Sequence, residues 1–172
     1  MGQDTYCVLC AGAPIAFTYE NWPTYQKLLF DSEFDEQELY ILLLTDFLPR
    51  EYDGCHDLAY HMGEAFRDFT DSAPTPQEFQ MCADRLTQQL RDWKWLPDTK
   101  SLTDLELQIL ADINCCHVRG LTRRQNPHIF NNESSWTASS LATKTQQVIR
   151  ELVKCGLPES QIVINSYMWD SQ

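Results

Sequence analysis

Long apolar runs, basic charge and catalytic signatures are what this chain lacks. No apolar stretch approaches the roughly 20 residues that a bilayer-spanning helix needs, and the N-terminus carries no basic-then-apolar leader. A protein without a membrane segment, working inside the cell and in the cytoplasm, is the expectation. Basic side chains number 13 against 25 acidic ones, for a net charge of −12. A nucleic-acid duplex or an anionic membrane repels such a chain at long range, so neither is expected as a partner. There is no phosphate-binding glycine loop, no G-x-S-x-G elbow, no H-E-x-x-H pair and no dinucleotide fingerprint. Glycine is scarce at six residues, and no repeat or low-complexity tail interrupts the chain. Its 172 residues suit one globular domain over 1–172, with a core large enough to need no staples.

What is present is a series of helical periods. Leu39–Leu48 (LYILLLTDFL) is apolar nearly all round, preceded by acidic residues and stopped by Pro49. Such a segment predicts a helix packed on several sides. Residues 24–30, 55–70, 75–93, 102–118 and 139–155 each show one apolar face at steps of three and four. Thr75-Pro76-Gln77-Glu78 combines a capping box with proline at the first helical position. Thr103-Asp104-Leu105-Glu106 reads as a second box. At the two ends, Tyr6–Leu9 and Ile162–Trp169 are strands by composition, with a further short strand expected near Ile15–Tyr19. A lone strand leaves its backbone unpaired, so the ends are expected to pair with each other. The fold class read from these signals is mainly α (α+β). It is a compact bundle of about five to six helices around a central apolar helix, with a small β-sheet formed by the N- and C-terminal segments.

Four constellations bear on chemistry. Seven cysteines, an odd number, in a chain without a leader point to reduced thiols. Cys7-x-x-Cys10 has the spacing of half a zinc site, and Cys55 and Cys116 are candidates for the other half. Against zinc stands the usual role of free cysteine as a small buried hydrophobe. On the helix expected over 55–70, Asp57, His61, Glu64 and Asp68 share one polar stripe. A histidine between carboxylates can serve as a general base, while the plainer reading is a solvated helix face. Residues 117–128 hold Arg119, Arg123 and Arg124 with no acidic residue, a local reversal in an acidic chain. Arginine forks suit carboxylate and phosphate partners, although three arginines make a small footprint. Finally, Trp93-Lys94-Trp95 cannot bury both rings on one helix face, and an exposed tryptophan is typical of a binding surface. The function read from all this is a non-catalytic intracellular protein-interaction or regulatory module, acidic and cysteine-rich. Its partner contacts are Arg119, Arg123, Arg124, Trp93 and Trp95, and a homo-oligomer could bury the spare aromatics. The alternatives are a small enzyme using His61 or His117 with neighbouring carboxylates, and a zinc-stabilised binding domain.

Overall fold

The first half of the apolar run that reads as a central helix is an edge strand. A computed structural model describes residues 4–35, 38–43, 57–119 and 138–171. In it Leu39–Leu43 forms β2. Leu39, Ile41 and Leu43 point into the main core, while Tyr40 and Leu42 pack on the other face against Cys10 and Leu110. A strand with apolar neighbours on both faces reads as a continuous apolar run, and length alone separates it from a buried helix. Residues 44–48, the rest of the expected helix, lie outside the described residues.

The second correction has the same root. Residues 102–118 carry a helical period, but Glu106–Arg119 is strand β3. Leu105, Leu107, Ile109, Ala111 and Ile113 also fall at every second position, and all five contribute to the main core. Both periods are satisfied by the same residues. The strand forms because β3 is paired on both sides, by β2 (Leu39–Leu43) and by the N-terminal strand β1 (Asp4–Ala16). The capping signal just upstream is used for one turn only. Ser101 rather than Thr103 is the cap residue, its N–H donating to the Asp104 carboxylate at 3.4 Å, and Leu105 is already extended.

The expected bundle of five to six helices is therefore wrong. Among the described residues the chain forms four α-helices and a four-stranded antiparallel sheet in the order β2-β3-β1-β4. The terminal segments do pair, β1 with β4 (Val163–Ser171), but they are half of a larger sheet. β1 runs unbroken to Ala16, so no separate strand starts at Ile15. Gly12 sits where β1 is flanked by β3 and β4. A Cβ there would run into the backbone carbonyl of Ile109, so the pairing requires glycine.

The helices are α1 (Trp22–Phe30), α2 (Ala59–Ala65), α3 (Pro76–Asp92) and α4 (Ala138–Cys155). Their buried apolar side chains all join one core on one face of the sheet. No described helix contributes to the small Cys10–Leu110 cluster on the opposite face. Among the described residues the architecture is thus two layers, helices on a sheet. Its centre is aromatic. Trp22 stacks on Phe66 at 4.3 Å, and Phe17 meets Tyr25 and Phe66 edge-on at 5.1 and 5.8 Å. The buried Tyr25 hydroxyl donates to the Ile15 carbonyl at 2.7 Å, and its burial holds the phenol well above its usual pKa. α4 ends in a Schellman turn, with Leu157 N–H donating to the Leu152 carbonyl and Gly156 in the left-handed region.

Candidate functional site

The site starts from the way α3 stops. Trp93 caps the helix, Lys94 takes a left-handed conformation (φ 63°), and the Trp95 N–H donates back to the Leu90 carbonyl at 2.9 Å. Lys94 N–H closes the inner bond to Arg91 at 3.0 Å. This is a Schellman motif with lysine where glycine is usual, at a cost of about 1 kcal/mol. The turn sends the two tryptophans different ways. Trp95 folds back onto the core, whereas Trp93 is left 41% exposed. Their rings still meet, with centroids 5.2 Å apart.

His61 of α2 completes the cluster. Its ring lies 4.7 Å from Trp93 and 5.5 Å from Trp95, edge-on to both, and Tyr60 also meets it edge-on at 5.5 Å. Tyr60 itself is 68% exposed. Below these rings α2 and α3 leave a cleft of about 480 Å³. Glu64, Arg67 and Asp68 line it from one side, Arg85 and Gln89 from the other. Met81 lies one turn before Arg85 on α3, away from the rings, and is exposed as well. The cleft thus offers aromatic rings at one end and charges of both signs along its walls.

Two sequence readings converge here. The expected histidine stripe and the expected exposed tryptophan are one place, because α2 packs along α3. The stripe itself is shorter than expected. Asp57 precedes α2, and its carboxylate accepts the N–H groups of Ile41 and Ala59, each at 3.0 Å. Burial raises its pKa, and those two bonds draw it part of the way back. Asp57 is therefore a structural tie between β2 and α2. His61, Glu64 and Asp68 remain in the cleft.

Of the other candidates, the fold brings one pair together. Cys7 and Cys116 are cross-strand partners in the register of β1 and β3, and His117 is paired with Tyr6. Cys10 follows Cys7 by three residues along an extended strand, about 10 Å further on, whereas a zinc knuckle folds such a pair around a turn. Cys55 lies outside the described residues. No group of three or more potential metal ligands occurs among the described residues. Arg119 ends β3, opposite Asp4, and Arg123 and Arg124 lie outside the described residues. Cys82, next to the cleft wall, is buried, and burial raises its thiol pKa against the partial opposition of Arg85. A thiol held protonated is a poor nucleophile.

Sequence reasoning missed Arg67, Arg85, Gln89 and Tyr60. All four are exposed polar or aromatic positions, Tyr60 on α2, Arg67 in the 3-10 turn after it, Arg85 and Gln89 on α3, and only the packing of α2 on α3 gathers them. No protein-family model, no curated protein and no solved structure matches the chain. No helix of the described residues is long and apolar enough to cross a membrane.

Proposed function

We propose that the protein is a non-catalytic intracellular interaction module that docks a protein segment in the cleft between α2 and α3. The observation that carries this reading is Trp93, held out of the core by a strained turn while its neighbour Trp95 is drawn in. An exposed tryptophan backed by a second ring and a histidine is a rigid apolar anchor, the kind of group that dominates interface energies. The mixed charge of Arg67, Arg85, Glu64 and Asp68 suits a peptide-like partner with an apolar or aromatic side chain between charged flanks. Two buried cysteines, Cys82 and Cys155, are unbridged, which supports a reducing compartment. The segment around Arg119, Arg123 and Arg124 is a separate contact for acidic groups on the same partner.

The test is comparative. Proteins recovered with the wild-type chain and lost with Trp93→Ala are purified and titrated calorimetrically against both forms. The expected loss of affinity is about tenfold or more, as for an anchor worth about 1.4 kcal/mol, with the melting temperature unchanged. Equal affinity for both forms removes the cleft as the docking site. The competing reading is a small enzyme with His61 as base beside Glu64 and Asp68, favoured by their shared cleft. It requires that His61→Ala abolish a measurable turnover without lowering the melting temperature.

A further inference from the structure

The sheet has two edges, and among the described residues only one is guarded. At β2 the outer edge is covered. Asp57 forms an isolated bridge to Leu42 and accepts the Ile41 N–H, and Leu58 N–H donates to the Ile41 carbonyl at 2.7 Å. At β4 nothing pairs with the outer side among the described residues. Proteins that keep an edge strand single blunt it with proline, lysine, a bulge or shortness. β4 has nine residues, no proline, no lysine and an unbroken register against β1. Its residues Val163–Ser166 are all exposed. Val163 and Ile164, on opposite faces of the pleat, are 51% and 47% exposed.

Charge and sequence say what fits this edge. The eight residues 162–169 (IVINSYMW) carry no charge in a chain of net charge −12, so this strip is where two copies approach without repulsion. An antiparallel match of β4 with itself, centred on Ser166, sets Val163 opposite Trp169 and Ile164 opposite Met168. It sets Asp170 opposite Ile162 rather than opposite its own copy. We propose that a second copy of the chain adds its β4 along this edge across a two-fold axis at Ser166, joining the two sheets into one. Backbone hydrogen bonds supply the attraction, and the two-fold keeps Asp170 away from its own copy, which sets the register. A stable dimer buries about 800 Å² per partner. One strand pair covers less, so the dimer forms reversibly and its population rises with concentration.

Sedimentation equilibrium on the full chain should show a mass climbing from 20.0 kDa towards twice that value between micromolar and millimolar concentration. Ile164→Lys should hold the mass at the monomer value with an unchanged melting temperature, because the side chain is exposed. Ser166→Cys should form a covalent dimer on mild oxidation, reversed by dithiothreitol. Val163→Cys should not, because the two copies of that position lie about 20 Å apart in this register, beyond disulfide reach. A monomer at every concentration overturns the proposal, and so does association that survives Ile164→Lys. Crosslinking at position 163 as fast as at 166 overturns the two-fold at Ser166.

Discussion

Asp112 shows how one side chain can cost the fold stability. It lies in β3 opposite Cys10, and its Oδ1 is buried without a hydrogen-bond partner among the described residues. Burial first, then the carboxylate of Glu38, push its pKa up to about 6, and Lys144 opposes them. Lys144 is itself drawn to Glu38 at 3.6 Å. The folded state therefore holds this proton more tightly than the unfolded chain, whose aspartates titrate near 3.9. Between about pH 4 and pH 6 the native state binds more protons, so stability falls as pH rises through that window. Asp112→Asn should match wild type near pH 4 and exceed it at neutral pH. The expected gain is on the order of 1 kcal/mol, after discounting for the partial exposure of the group. Urea unfolding of both forms at a series of pH values checks this, and parallel pH profiles would refute it. Nothing in the sequence marks Asp112, because its environment is made by β1, β2 and α4. Trp93 is the opposite case. Two tryptophans flanking one lysine already announce that one ring must leave the helix face, and the turn at Lys94 decides which.

At the scale of elements, local signals were decisive where they were chemically specific. Thr75-Pro76-Gln77-Glu78 is a reciprocal box in the fold, with Glu78 N–H donating to Thr75 Oγ1 at 3.1 Å and Thr75 N–H donating to Glu78 Oε1 at 2.9 Å. It starts the helix that carries Phe79, Ala83, Leu86 and Leu90 into the core and Arg85 and Gln89 to the cleft. Thr75→Ala should cost about 1 kcal/mol and lower the melting temperature by about 2–4 °C for a chain of this size. Calorimetry checks it, and an unchanged transition would show that tertiary packing alone sets the start of α3. Gly156 was equally legible, since a left-handed cap after an apolar helix wants glycine. The failures are Leu39–Leu43 and Glu106–Arg119. Each carries enough aliphatic side chains to satisfy both a helical and an alternating period. No residue in either segment breaks the tie, and their pairing partners are far away in sequence.

At the scale of the molecule, the two misread segments are one fact. Once β3 is extended, it takes β1 on one side and β2 on the other, and the described helices all cover one face. Leu43 is buried against that layer and registered with Leu107. Leu43→Asp should therefore abolish the cooperative unfolding transition by burying an unpaired charge. Circular dichroism and hydrodynamic radius report it, and a folded variant of native size would contradict the placement of β2 in the core. The sequence by itself determined the acidic surface, the start and stop of α3 and α4, the strand character of both termini and the presence of a spare tryptophan. Each rests on chemistry complete within a few residues: a cap, a turn, a charge count. Only the tertiary structure decided whether the apolar runs are helix or strand, and that His61 and Trp93 share a cleft. Those outcomes depend on backbone pairing and helix packing between distant segments, for which no short stretch of sequence holds both partners.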